Sequence, residues 1–275
     1  MYDIYVKDEM DKYKDSCHVK YREIVEYAVK GGKCIRAFIT KNVMLTLGGF
    51  SDWRPVTACE VIHASSLILD DLPCMDNDKI RRNKDSTFVN YGEQKAIMTS
   101  ILMTSSTIKL LSDYVDELKA KKLMTMELEH TIYKSLTSEW ATAIEELIRG
   151  QYMDLNMKED DNVEHLIELK TCSLFSLAFI IGGLFSCTPV DLKKYKRIGF
   201  HFGIMFQLID DINDINDDKK ITNFISVKGY KNSLIKFEEE KEKCIALMKS
   251  ESIYSKEMED CILFLNNKWK ERMVQ

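Results

Sequence analysis

Leu67-Ile68-Leu69-Asp70-Asp71-Leu72-Pro73-Cys74-Met75-Asp76-Asn77-Asp78, with Arg81-Arg82 close behind, is an apolar helical run that ends in two adjacent carboxylates. Pro73 breaks the helix just beyond them, because its ring removes a backbone donor and restricts the residue before it. A third acid, Asp76, follows the break. Clustered Asp side chains repel one another, so packing alone does not select them. A divalent cation relieves that repulsion, and oxygen ligands of this kind suit Mg²⁺. Arginines beside such a site point to a phosphate held with the metal. The competing reading is a solvated acidic loop with an N-cap.

Upstream, Pro55 is expected to open the helix that runs to Asp71. His63 lies seven positions before Asp70, on almost the same face at 3.6 residues per turn. A lone helical histidine is usually structural; sharing a stripe with the Asp pair makes function an equal reading. Further back, Met10, Tyr13, Val19, Ile24, Val25, Ala28 and Val29 recur at helical spacing from Asp8 to Val29. One amphipathic helix is expected there, stopping at Gly31-Gly32. Lys33-Cys34-Ile35-Arg36 then opens the next helix, Ala37 to Leu47. Lys33 and Arg36 sit at a helix N-terminus, where the dipole attracts anions and disfavours cations. A bound anion accounts for them; two exposed surface cations are the alternative.

Downstream, a polar loop spans Asn83 to Thr87, and helices are expected from Glu93 to Leu111 and from Met126 to about Leu155. The second of these carries the polar insertion Arg149-Gly150-Gln151-Tyr152-Met153-Asp154, which either lines a cavity or makes satisfied core bonds. A helix from Val163 carries Lys170-Thr171 and then the apolar run Leu174 to Ile181. Lys170 either snorkels to solvent or is aimed at a buried anion. In Phe206-Gln207-Leu208-Ile209-Asp210-Asp211-Ile212-Asn213-Asp214, the residues Gln207, Asp210, Asp211 and Asp214 fall at i, i+3, i+4 and i+7. All four share one helix face, and three like charges there destabilise a helix unless a cation is shared. Lys219-Lys220 follow, then two helices, Ser233 to Lys249 and Ser255 to Met273.

Three prolines and eleven glycines in 275 residues point to long helices, an all-α chain. No linker or repeat divides it, so one domain over 1–275 is expected. A net charge of -5 gives no reason to expect nucleic-acid binding. Eight cysteines without a Cys-x-x-Cys pair suggest neither zinc nor disulfides, and fit a reducing, cytoplasmic setting. The first residues read as neither a signal nor a transit peptide. Leu174 to Cys187 falls short of the ~20 residues of a spanning helix, so a buried core helix in a soluble protein is expected, with no membrane span.

Two carboxylate clusters on different helices, with separate cations, can hold two or three Mg²⁺ ions and a diphosphate between them. Neither a Ser-His-Asp or Cys-His nucleophile set nor a glycine-rich phosphate loop is evident. The chemistry therefore reads as metal-assisted ionisation of a diphosphate in an apolar helical pocket.

Taken together, these motifs resemble the trans-isoprenyl diphosphate synthases of the farnesyl and geranylgeranyl type. Asp70-Asp71-Leu72-Pro73-Cys74-Met75-Asp76 with Arg81-Arg82 looks like the family's first Asp-rich motif, and Phe206 to Asp214 like the second. Gly31-Gly32-Lys33-Cys34-Ile35-Arg36, Gly150-Gln151 and Lys170-Thr171 match three further motifs, in order. The resemblance implies a helical bundle around a central apolar cavity, a homodimer, and head-to-tail prenyl transfer. Asp70, Asp71, Asp76, Asp210, Asp211 and Asp214 would bind Mg²⁺. Arg81, Lys170, Thr171, Gln207 and Lys219 or Lys220 would hold the allylic diphosphate. Lys33, Arg36, His63 and Arg82 would hold isopentenyl diphosphate. Cys34 stands where the family commonly has a basic residue, and Ala37 where it has proline.

Product length follows from what lies one turn below the acids. Ser66, with Ser65 beside it, stands where farnesyl-type enzymes commonly place a bulky aromatic floor. One turn is about 5.4 Å, similar to one extended isoprene unit. Small serines permit a deeper pocket, so a C20 product, geranylgeranyl diphosphate, is expected. Farnesyl diphosphate is the alternative product. A class I terpene cyclase on the same scaffold would not need Lys33, Arg36 and His63, and a non-catalytic partner subunit would not need intact acids.

Overall fold

Almost every described residue outside short connections is helical. The computed structural model describes residues 2–49, 52–158, 160–186, 188–214 and 221–273. In order these form a 3₁₀ turn (Tyr2–Val6), α1 (Lys7–Ser16), α2 (Val19–Val29), α3 (Ile35–Thr46) and α4 (Trp53–Asp70). A small hairpin follows, β1 (Ile80–Arg81) and β2 (Lys84–Asp85), then α5 (Thr87–Tyr91), α6 (Glu93–Ala120) and α7 (Met126–Leu155). After these come α8 (Val163–Ile167), a π turn (Glu168–Cys172), α9 (Ser173–Leu184), α10 (Leu192–Asn213), α11 (Phe224–Lys228), α12 (Tyr230–Ser250) and α13 (Lys256–Met273).

Contacts divide the chain into two compact units, 1–41 with 50–137, and 42–49 with 138–275. The boundaries at 41/42 and 137/138 fall inside helices α3 and α7, where composition does not change. In the first unit α4 is the core helix. Val56, Cys59, Val61, Ile62, Ala64 and Ile68 are all buried, so most of its circumference is covered. It packs chiefly on α6, with α1 and α2 as further neighbours. In the second unit α10 has that place, packed on α9, α12 and α13. Two glycines set its approach. A Cβ on Gly203 would lie 2.8 Å from Cys172 Cα, and one on Gly199 would enter the backbone of Ser176.

Three expectations from the sequence change. The segment 8–29 is two helices, because Cys17 turns extended and the His18 ring caps α2 by accepting from the Lys20 amide at 3.3 Å. The polar loop after Arg82 is a hairpin with register Arg81↔Lys84 and Ile80↔Asp85. Its two turn residues, Arg82 (φ 56°) and Asn83 (φ 60°), are both left-handed, as a tight two-residue hairpin turn requires. The apolar run belongs to a continuous helix, Val163–Leu184, whose 22 residues are long and apolar enough to cross a membrane. Within the second unit, 83% of its most apolar window is buried, the pattern of a core helix. Measuring from Leu174 undersized it because α8 and the π turn precede α9 without a break.

Candidate active site

The first acid cluster forms where α4 ends. Asp70 is the last helical residue and Asp71 its cap. The chain then folds back: the Asp76 amide donates to the Asp70 carbonyl at 2.9 Å, and the Met75 and Asn77 amides donate to Leu72. The C-terminal end of a helix carries negative partial charge, so carboxylates there work against their own helix. Asp71 is buried, Asp70 half-buried and Asp76 exposed. Arg81 on β1 answers Asp71 with both Nε, at 2.8 Å, and Nη2, while Nη2 also donates to Asp78 at 2.9 Å. Burial raises the Asp71 pKa and outweighs the opposing guanidinium. For Arg81 itself, burial is outweighed by Asp71 and Asp78, and its pKa is raised.

Lys33, Arg36 and Arg82 come from stretches of chain separate from α4, yet all act on the His63 imidazole. His63 is partly buried, and its pKa is held well below the usual histidine value, first by desolvation and then by Arg36, Arg82, Arg81 and Lys33. This clustering of positive charge in the first unit suits an anion. Arg82 has a second task that its sequence position did not suggest. Its Nη1 donates to the carbonyls of Ala28 at 2.8 Å and Val29 at 3.1 Å, closing the end of α2. Gly31 (φ 84°) makes the turn, and a Cβ on Gly32 would lie 3.0 Å from Arg82 Nη2. Cys34 is buried with φ 53°, and burial pushes its thiol up to about 12.

The serine pair separates. Ser65 is buried against α6, bonded to Ser100 Oγ at 2.9 Å and Thr104 Oγ1 at 2.7 Å. That hydroxyl joins two helices. Ser66 donates to the His63 carbonyl at 3.0 Å and stays half-buried.

In the second unit a pocket of about 160 Å³ brings five of the sequence-derived residues together: Lys170, Thr171, Gln207, Asp211 and Asp214. Asp210, Asp211 and Asp214 occupy the last turn and cap of α10, again at a helix C-terminus. Asp211 is buried with both oxygens hydrogen-bonded. Gln207 Nε2 donates to Oδ1 at 2.7 Å, and the Phe224 amide to Oδ2 at 2.8 Å. Burial pushes the Asp211 carboxyl up to about 6, those two donors oppose it, and the charges of Asp210 and Asp214 add to it. Thr171 Oγ1 donates to Gln207 Oε1 at 2.6 Å, so Thr171, Gln207 and Asp211 form one chain. Lys170 lies in the π turn, and a Cβ on Gly150 would sit 2.7 Å from its backbone nitrogen. The glycine in the polar insertion of α7 is thereby explained: it is needed for that close approach.

The polyprenyl synthetase family profile matches residues 18–226. The chain belongs to that family. It is 30% identical over 211 residues to geranylgeranyl pyrophosphate synthase 10, mitochondrial, of Arabidopsis thaliana, covering 72% of this chain and 58% of that protein. It is 31% identical over 228 residues to farnesyl diphosphate synthase of Bacillus subtilis (strain 168), covering 74% of each. An isoprenoid synthase family member from Thermotoga neapolitana DSM 4359 has the same fold, with a TM-score of 0.76 at 23% identity over 96% of this chain and 98% of that one.

The carboxylate donor set here suits Mg²⁺. Both clusters offer carboxylate oxygens at helix C-termini, where a cation offsets charge repulsion and helix dipole together. As placed, no three ligand-type side chains among the described residues stand close enough to hold a metal ion. Lys219 and Lys220 lie outside the described residues. Asp154 and Asn223, which also line the pocket, were not singled out from the sequence. Asp154 follows Gly150 by four residues on α7, so helical spacing alone places it on the face that meets Lys170. Asn223 donates to the Asp211 carbonyl at 2.8 Å and caps α11, contacts that sequence spacing does not reveal.

Proposed function

We propose that the chain is a Mg²⁺-dependent prenyltransferase that condenses isopentenyl diphosphate with allylic diphosphates to give geranylgeranyl diphosphate. The observation that carries this reading is the pocket where Lys170, Thr171, Gln207, Asp211 and Asp214 meet. Two or three bound magnesium ions, with Asp70, Asp71, Asp76, Asp210, Asp211 and Asp214 as ligands, would neutralise the allylic diphosphate and make it a better leaving group.

The protein's own groups then do the rest. Lys170 donates to the diphosphate oxygens, and the chain from Thr171 through Gln207 fixes the orientation of Asp211. Arg81, held between Asp71 and Asp78, would present its guanidinium to a phosphate when the substrate binds. Lys33, Arg36, His63 and Arg82 hold isopentenyl diphosphate; His63 stays neutral, so its ring donates from one nitrogen only. The allylic C–O bond breaks, the isopentenyl double bond forms the new C–C bond, and a proton is lost to the departing diphosphate. Ser66, small and half-buried, leaves room for the longer chain. The working form is a homodimer, for which the exposed Ile97, Met98 and Ile101 on α6 offer an apolar stripe.

Purified protein incubated with Mg²⁺, isopentenyl diphosphate and dimethylallyl, geranyl or farnesyl diphosphate tests this directly. Geranylgeranyl diphosphate is the expected product from each primer. No elongated product from any primer refutes prenyl transfer, and none from farnesyl diphosphate refutes the C20 assignment. Ser66→Phe is expected to shorten the product; an unchanged C20 product removes Ser66 from chain-length control. Sedimentation of the purified chain tests the dimer.

A further inference from the structure

We propose that Asp154 is a positioning residue for Lys170, holding its ammonium at the allylic diphosphate pocket; this rests on the reading of that pocket given above. Asp154 pairs with Lys170 Nζ through Oδ2, and the two side chains are 21% and 27% exposed. Both line the pocket with Thr171, Gln207, Asp211 and Asp214. The pair is built from both sides. On α7, Gly150 lets the Lys170 backbone approach to a distance that any side chain would block. On the other helix, the π turn Glu168–Cys172 sets the register of Lys170, and such turns recur at functional sites.

Asp154 also does nothing for its own helix. It stands in the last turn of α7, which has no basic residue, where the dipole disfavours a carboxylate. Its partner across the packing is what offsets that cost. An ammonium has three N–H donors. The pairing with Asp154 removes the freedom of a long, flexible stem and fixes where those donors point. Lys170 is also the only base among the described residues lining the pocket. Without it, Asp154 would add a third carboxylate to Asp211 and Asp214 and repel a diphosphate. The effect of Asp154 on substrate must therefore depend on Lys170.

The test is calorimetric binding of geranyl diphosphate to the full chain with Mg²⁺ and no isopentenyl diphosphate, alongside steady-state kinetics. Asp154→Ala is expected to weaken geranyl diphosphate binding about tenfold, the size of one charge-assisted hydrogen bond. The KM for isopentenyl diphosphate should stay unchanged. Asp154→Asn, which keeps the shape and still accepts a hydrogen bond, should recover part of the loss, and serves alone if the alanine variant does not fold. In a Lys170→Gln background, adding Asp154→Asn or Asp154→Ala should leave binding equal or tighter. An equal loss in both backgrounds, or a matching rise in the isopentenyl diphosphate KM, overturns the positioning role while leaving the pocket reading intact. If Lys170→Gln leaves geranyl diphosphate binding unchanged, the pocket reading itself fails, and the role of Asp154 with it.

Discussion

The two acid clusters solve the same problem with different parts. In each, the middle carboxylate is buried and hydrogen-bonded, the first is half-buried and the last exposed: Asp71, Asp70, Asp76 in one, Asp211, Asp210, Asp214 in the other. Asp71 is met by a charge, the Arg81 guanidinium carried on a short hairpin. Among the described residues, Asp211 is met by two neutral donors, Gln207 and the Phe224 amide. A guanidinium compensates a buried carboxylate far better than amides do, and Asp211, pushed up to about 6, shows the consequence. The first cluster is a loop that already carries its own counter-charge. The second is a helix end whose buried carboxylate is held by an amide side chain and a backbone N–H.

Removing an outer acid from either cluster should have the largest effect. Asp70→Ala and Asp210→Ala are each expected to lower kcat by about a hundredfold or more, the scale of losing one electrostatic contact at a reacting centre. Turnover that survives in one variant and not the other would break the functional equivalence of the clusters.

Packing separates the two units next. Gly199→Ala drives a Cβ into the Ser176 backbone and should destabilise the fold by about 1–3 kcal/mol in urea titration. Gly32→Ala meets only the movable end of Arg82, and its loss should be smaller. Equal losses would mean that Arg82 is as rigid as a helix backbone.

A finer test uses amides in place of the acids. Both Arg81 donors converge on Asp71 Oδ1, so Asp71→Asn keeps an acceptor where it is needed. Asp211 accepts on two different oxygens, so Asp211→Asn must turn an N–H toward one donor. Asp211→Asn should therefore cost about 1–3 kcal/mol without metal, more than Asp71→Asn. The reverse order would show that charge, rather than acceptor geometry, decides both sites.

The smallest effect belongs to the cationic cluster of the first unit. Burial and four cations hold the His63 pKa well below its unfolded value near 6.5. As pH falls below about 6.5, the unfolded chain gains a proton that the fold refuses, so stability is lost on the acid side. The slope from this one group is at most about 1.4 kcal/mol per pH unit. His63→Gln should flatten it in denaturation curves between pH 6.5 and 5; an unchanged slope would place His63 outside the influence of Lys33, Arg36, Arg81 and Arg82.

How much of this was legible depended on the range of the contacts. The i, i+3, i+4, i+7 spacing put Gln207, Asp210, Asp211 and Asp214 on one face, and they share one helix face and its C-terminal cap. The helix ending at the Asp70-Asp71 pair was equally readable, since proline chemistry is local. The hairpin at Ile80–Asp85 was missed because its turn residues, Arg82 and Asn83, lack the glycine that usually marks such a turn. The bonds of Ser65 to α6 were not readable because its partners Ser100 and Thr104 lie 35 and 39 residues away.

The sequence by itself determined the all-helical class, the two acid clusters at helix ends and the family, because helical periodicity and helix termination are properties of neighbouring residues. Only the tertiary structure decided which acid is answered by Arg81 and which by amides, why Gly150 must be glycine, and that Lys170 has Asp154 beside it. Those facts depend on how closely separate helices approach, and close packing sets that approach residue by residue across distant parts of the chain.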